Sequence, residues 1–163
     1  MNLEVTLRTV DDLVNSGAKI GGLLLGGETL ELIGDIGAGK TTLTKGLARG
    51  LQIEDEIQSP TFTISRNYEA PNGLRLAHYD FYRLQDAGIM KMELSEAMCD
   101  PQTITVIEWS DVVNDVLPAD VLQIIIQTQT DNSRKLILKS SGDKSRRILE
   151  ELQWFYYGTA PRW

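Results

Sequence analysis

Residues 34–41 have the composition and spacing needed to hold phosphate. They read Gly-Asp-Ile-Gly-Ala-Gly-Lys-Thr and satisfy the pattern G-x-x-x-x-G-K-[ST] in full. The glycines let the backbone turn tightly and point successive N–H groups at one anion, and a following helix adds its positive N-terminal end. An apolar strand at 29–33 and an amphipathic helix from 40 to about 51 flank the loop, which is the setting that such a loop requires. The segment therefore predicts a nucleotide-phosphate site.

Side chains at the end of this loop have separate predicted roles. Lys40 can reach the β- and γ-phosphates, and the Thr41 hydroxyl can ligate Mg²⁺, which prefers few protein oxygens together with phosphate oxygens. The predicted cofactor-binding residues here are Gly37, Ala38, Gly39, Lys40, Thr41 and Thr42. The guanine-reading pattern Asn-Lys-x-Asp and the switch pattern Asp-x-x-Gly are both missing from the sequence. ATP with Mg²⁺ is therefore favoured by elimination.

A carboxylate near the metal, at the end of a neighbouring strand, is the second requirement of such an enzyme. Glu108 directly follows the apolar run 104–107 and fits that position. We expect it to hold Mg²⁺ through water or to orient the attacking water. A surface glutamate at a strand end is the alternative.

Asp80 is the other candidate carboxylate. On a strand its side chain shares one face with His78 and Tyr82, because side chains alternate. It is either paired with a base such as Arg83 or placed for catalysis. His78, the single histidine, is interpreted as a packed or hydrogen-bonding residue and not as a metal ligand.

Two further residues have an expected place near the nucleotide. Thr61 follows Ser59-Pro60 and could meet the γ-phosphate side of Mg²⁺, as a switch-loop threonine does. It could equally begin a strand after a proline-fixed turn. Trp109 follows Glu108 and is either a core residue or an aromatic lid beside the nucleotide.

The periodicity of apolar residues predicts how these side chains are positioned. Expected strands cover 3–7, 29–33, 61–68, 74–82, 104–107, 121–126 and 136–138, and expected helices cover 10–25, 40–51, 86–98 and 144–155. Pro71-Asn72-Gly73 lies between two of these strands and predicts a hairpin. Alternation of strands and helices predicts an α/β fold, namely a three-layer P-loop NTPase fold with a mainly parallel sheet and added antiparallel strands.

Length and charge set broader limits. The 163 residues suit one domain, 1–163, in which about 141–163 form a C-terminal helix and an aromatic tail. The net charge of -7 disfavours holding a nucleic acid unaided, because such affinity comes from Lys and Arg. One cysteine excludes an internal disulfide and a Cys-based metal site. With no signal-like or membrane-spanning stretch, we expect a cytoplasmic protein.

Four segments together resemble a known family. The segments 34–42, 59–62, 78–83 and 107–109 read GDIGAGKTT, SPTF, HYDFYR and IEW, in the order and spacing of the TsaE (YjeE) family. That family comprises bacterial ATPases of tRNA threonylcarbamoyladenosine (t6A) biosynthesis. The resemblance covers roughly residues 1–140. It implies ATP hydrolysis that resets the partner proteins TsaB and TsaD between turnovers at tRNA position 37, with tRNA contacted only through these partners.

The resemblance also implies residue roles. Lys40 would contact phosphate, and Thr41 and Glu108 would serve Mg²⁺. Asp80 and Thr61 would lie in the catalytic and switch regions. Thr9 and Arg134 resemble family positions that lie close to the nucleotide base.

The C-terminal aromatic residues match no motif of the family. They lie at 154–157 and at 162–163. They either pack on their own domain or form a surface for a partner.

Three functions remain open from the sequence. The first is an ATPase whose site a partner completes, since no arginine finger is evident and Arg83 and Arg66 are only possible internal substitutes. The second is a small-molecule kinase, for which Arg146-Arg147 would form a basic lid. The third is a nucleotide-gated scaffold in which hydrolysis is incidental.

Overall fold

The computed structural model describes residues 1–159, so the predicted tail at 162–163 lies outside the described residues. The strands are β1 Asn2–Leu7, β2 Thr29–Ile33, β3 Ser65–Glu69, β4 Arg75–Asp80, β5 Thr103–Glu108, β6 Leu122–Thr128 and β7 Arg134–Ser140. The helices are α1 Val10–Leu23, α2 Lys40–Gly50, α3 Met90–Cys99, α4 Asp143–Tyr157 and a 3₁₀ helix, Ser110–Val116.

All seven strands form one sheet in the order β1-β7-β6-β2-β5-β4-β3. The central strands β6, β2, β5 and β4 are mutually parallel, and the outer pairs β1–β7, β7–β6 and β4–β3 are antiparallel. The predicted α/β fold, with helices on both sides of the sheet, is confirmed. The carboxyl ends of parallel strands share one edge, so the loop after β2 lies beside the ends of β4 and β5.

Apolar side chains on the two faces of the sheet pack against different helices. One face carries Leu32 and Val106 and joins a core built with α1, α2 and α4. The other face carries Tyr79 and Ile107 and packs with Leu94 of α3 and the 3₁₀ helix. None of the helices within residues 1–159 combines the length and hydrophobicity needed to span a membrane.

Helices α1 and α2 cross at backbone contact distance. A Cβ at Gly17 or Gly21 would overlap a carbonyl oxygen of α2, and a Cβ at Gly46 or Gly50 would overlap a carbonyl oxygen of α1. Only glycine allows this approach. The close crossing holds the start of α2, which follows the glycine-rich loop, against α1.

Two predicted boundaries are wrong by four residues each, whereas the others lie within about two residues of the observed ones. The strand expected from residue 61 begins at Ser65, because the Thr63 and Ile64 N–H groups both donate to the Pro60 carbonyl and form a turn. The helix expected from residue 86 begins at Met90. Before it, Asp86 accepts from the N–H of Gly88, and Gly88 has a left-handed φ of 51°, which no helix continues.

Candidate functional site

The glycine-rich loop ends at a helix start whose first backbone N–H groups have no acceptor within the helix. Gly37 and Gly39 have left-handed φ values of 82° and 115°. Gly39 precedes α2 and offers no side-chain cap, and the first helical bond runs from Leu43 N to Gly39 O. The N–H groups of Lys40 and Thr41, which come before that bond, therefore have no acceptor within the helix. This arrangement suits an anion with several oxygens.

A cavity of about 340 Å³ lies at this helix end. Its wall brings together residues from the loop, from α2 and from the ends of β4 and β5. The predicted site residues in the wall are Gly37, Gly39, Lys40, Thr41, Thr42, Thr61, Asp80, Glu108 and Trp109. A pocket of this size and lining can take the phosphates of a nucleotide.

Lys40 is held at the centre of the site. Its side chain is 7% exposed, and its Nζ donates to Gly34 O at 2.6 Å and to Asp35 O at 2.9 Å. The ammonium also lies 4.9 Å from the ring centroid of Trp109. Among residues 1–159, Lys40 is the only lysine in the cavity wall, and its charge is thereby fixed beside the N–H groups at the start of α2.

Trp109 lies in the cavity wall and not in the core. Its backbone is left-handed, with φ 55°, which is rare for a bulky residue. Its ring contacts that of Tyr82, with centroids 4.9 Å apart. Of the two interpretations of Trp109, this placement fits the aromatic lid.

The two candidate carboxylates are neighbours across β4 and β5. Asp80 pairs in register with Glu108, and both lie in the cavity wall. Asp80 is 4% and Glu108 3% exposed, so the interpretation of Glu108 as a surface residue is wrong. Both carboxylates lie in the wall together with Thr41, and all three side chains carry oxygen atoms, the type of ligand that Mg²⁺ prefers.

Asp80 is held by the switch-like segment and not by an arginine. Its Oδ2 accepts from Thr61 Oγ1 at 2.8 Å, and its Oδ1 accepts from the Tyr82 N–H at 2.9 Å. Arg83, the suggested partner, lies over the Phe62 ring, 4.4 Å from its centroid. The proposed pair with Arg83 is therefore wrong, and the contact with Thr61 places that residue at the site.

Thr9, Ala38 and Arg134 are not in the cavity wall: Ala38 lies within the loop, Thr9 precedes α1, and Arg134 begins β7. Thr9 caps α1, and its Oγ1 accepts from the Asp12 N–H at 3.0 Å in a complete capping box. Arg134 Nε donates to Ala38 O at 2.9 Å and so ties the start of β7 to the loop. The predicted contacts of Thr9 and Arg134 with a nucleotide base stay predictions.

Three wall residues were missing from the predicted set, namely Ile36, Ser59 and Tyr82. Each lies inside a segment that the sequence marks: Ile36 in the glycine-rich loop, Ser59 beside Thr61, and Tyr82 two residues after Asp80. The Ser59 hydroxyl is 2.7 Å from that of Thr61. Their position in the motifs was a signal that could have found them.

The family model described as Threonylcarbamoyl adenosine biosynthesis protein TsaE matches residues 7–136. The chain belongs to the TsaE family. Relatives of the same name include one from Bacillus subtilis (strain 168), 39% identical over 77% of this chain and 78% of its own length. Another, from Treponema pallidum, is 36% identical over 79% of this chain and 94% of its own.

A solved structure shares the architecture of this TsaE-family chain. The crystal structure of Bacillus subtilus YdiB superposes with a TM-score of 0.77 at 30% sequence identity. The match covers 95% of this chain and 96% of that one. The similarity therefore includes α4, beyond the end of the family-model match.

Proposed function

We propose that this protein is a cytoplasmic ATPase that uses Mg²⁺ and serves t6A formation at tRNA position 37. The observation that supports it most is the meeting of the glycine-rich loop with Thr61, Asp80 and Glu108 around one cavity. The name shared by its relatives supports the pathway.

In this proposal the chain acts by positioning and charge, as phosphoryl-transfer enzymes do. The N–H groups at the start of α2 and the Lys40 ammonium hold the β- and γ-phosphate oxygens. Thr41 and Glu108 would hold Mg²⁺, and the bound ion would neutralise charge on the phosphate oxygens. A carboxylate oxygen of Asp80 or Glu108 accepts a hydrogen bond from the attacking water and aligns it with the γ-phosphorus.

We further propose that TsaB and TsaD complete the site. The cavity wall includes two exposed apolar side chains, those of Ile36 and Tyr82, and Phe62, which follows the wall residue Thr61 in the chain, is 81% exposed. Exposed apolar side chains of this kind are typical of a surface that a partner covers. We therefore expect weak hydrolysis by the protein alone.

ATP turnover measured with and without TsaB and TsaD tests this proposal. Lys40→Ala should lose ATP binding, and Glu108→Ala should keep binding but lose turnover. Lys45→Ala is the matched control, because Lys45 lies on the exposed side of α2, outside the cavity wall. Equal, high rates with and without partners would contradict completion by partners, and failure of the unmodified protein to bind ATP would contradict the whole proposal.

The kinase alternative has less support. Arg147, half of the suggested basic lid, donates to Leu23 O at 2.8 Å and approaches Glu28 at 3.5 Å, at the end of α1. Phosphate transfer to nucleosides or nucleotides in a substrate screen would favour a kinase. For the scaffold alternative, Glu108→Ala decides: full support of t6A synthesis by this variant would mean that binding is sufficient.

A further inference from the structure

A fully buried histidine lies behind the carboxylate of Glu108. His78 is 0% exposed, and its Nε2 lies 2.7 Å from Glu108 Oε2. It is on β4, two residues before Asp80, and outside the cavity wall. It therefore cannot touch a ligand in the cavity, and any effect on the reaction must pass through Glu108.

The direction of this hydrogen bond follows from the chemistry of the two groups. An ionised carboxylate only accepts, so the His78 Nε2 atom carries the proton and donates. The other ring nitrogen, Nδ1, is buried and has no hydrogen-bond partner among residues 1–159. His78 thus has one polar interaction in the described part of the chain, and it is with Glu108.

Glu108 depends on this one donor. Asp80 has two donors, Thr61 Oγ1 and the Tyr82 N–H, whereas Glu108 accepts within residues 1–159 from His78 alone. A glutamate side chain has several rotatable bonds and loses substantial rotamer freedom when it is ordered. Because His78 holds Oε2 from outside the cavity, Oε1 is the carboxylate oxygen that remains free to face the cavity.

We propose that His78 is a positioning residue: its Nε2–H holds Glu108 in the rotamer that turns Oε1 toward Mg²⁺ or the attacking water. This rests on the proposed ATPase function. Partners that orient a ligating or reacting group are commonly worth about 10–100-fold in metal affinity or activity.

Two amide substitutions of His78 distinguish the position of the donor atom from the mere presence of a polar side chain. The glutamine amide nitrogen lies as many bonds from the backbone as Nε2, whereas that of asparagine is shorter by one bond. We expect His78→Asn to lower turnover and Mg²⁺ affinity about 10–100-fold, with little change in metal-free ATP affinity. His78→Gln should retain both within a few-fold. Thr105→Val is the control for a buried change on β5, because the Thr105 hydroxyl has no hydrogen-bond partner within residues 1–159.

Equal losses in the glutamine and asparagine variants, with thermal stability unchanged, would overturn the proposal. So would asparagine activity equal to that of the unmodified protein. In a Glu108→Ala background, the His78 substitutions should change Mg²⁺ affinity no further, and an undiminished effect there would assign His78 a role independent of Glu108.

A spectroscopic measurement tests the bond without any variant and without ATP. His78 is the single histidine, so long-range ¹H–¹⁵N correlation of its ring needs no assignment. We expect the Nε2–H tautomer, and an Nδ1–H tautomer would overturn the proposal. If the unmodified protein failed to bind ATP, the proposed function would fall while this measurement still reported the His78–Glu108 bond.

Discussion

Trp109 combines three features that rarely occur in one residue: a left-handed backbone, a ring against Tyr82 and a lysine ammonium over its face. A strained conformation of this kind persists only where the surrounding structure holds it, and such residues cluster at functional sites. The contact fixes the position of Lys40, because the indole ring restricts where the ammonium can lie. Trp109 therefore helps to fix the positive charge that would hold the phosphates in the proposed function.

We predict that Trp109→Leu weakens ATP binding. A cation–π contact is worth about 0.5–2 kcal/mol, which corresponds to about a twofold to thirtyfold change in the dissociation constant. Titration calorimetry with ATP and Mg²⁺ measures it. Trp154→Leu is the matched control, because Trp154 is exposed on α4 and lies outside the cavity wall. Equal affinities of the two variants would show that the ring does not support Lys40.

Among the elements, α1 and α2 pack so closely that their contact tolerates no side chain at several positions. Gly46 fits only because it lacks a side chain, since a Cβ there would overlap the Val14 carbonyl, whereas a Cβ at Gly22 meets nothing within 4 Å. The two helices therefore contain glycines that packing requires, such as Gly46, and one that it does not, Gly22.

This contrast predicts opposite effects for the same substitution. Gly46→Ala should lower the free energy of unfolding by about 1–3 kcal/mol through overpacking. Gly22→Ala should leave it unchanged or raise it by up to about 1 kcal/mol, because alanine is the better helix former. Urea denaturation measures both. We also expect Gly46→Ala to weaken ATP binding, since α2 begins at the loop, and equal stability of the two variants would contradict the close crossing.

The sequence predicts the features that depend on neighbouring residues but not those that depend on how distant segments pair. The glycine-rich loop and the position of Glu108 at the end of β5 follow from local patterns. The hydrogen bond from His78 to Glu108 does not, because it requires β4 to lie next to β5, and strand order depends on the whole chain. The bond from Arg134 to Ala38 likewise joins residues far apart in sequence. The predicted start of β3 is too early because the residues of the turn after Pro60 are of types that favour strands.

For the molecule as a whole, the buried Tyr79 and the partly buried Tyr156 make the stability of the fold depend on pH in the alkaline range. Burial, and then the nearby charge of Glu93, raises the pKa of Tyr79 above its ordinary value. Burial also raises the pKa of Tyr156, whose hydroxyl lies 2.7 Å from Ser16 Oγ and links α4 to α1. Both phenols keep their protons in the folded state at a pH where the unfolded chain has lost them.

Stability should therefore be full below the ordinary tyrosine pKa of 10.0 and fall as the pH rises above it. We predict a shallower fall for Tyr156→Phe than for the unmodified protein, together with a small loss at neutral pH of about 1 kcal/mol from the missing hydrogen bond. Urea denaturation between pH 7 and about pH 11 checks both. Identical pH slopes for the two proteins would contradict a raised pKa of Tyr156.

The acidic balance of the whole chain decides how it can meet tRNA. With a net charge of -7, the approach of a polyanion costs repulsion, because the 16 lysines and arginines that could release counterions are outnumbered by 23 aspartates and glutamates. We predict no measurable binding of labelled tRNA to this protein alone at about 150 mM salt, by fluorescence anisotropy. TsaB and TsaD together are the positive control, and adding this protein should leave the salt dependence of their tRNA binding unchanged. Micromolar affinity of the protein alone, weakening as salt rises, would place a basic tRNA surface on this chain and contradict an indirect role.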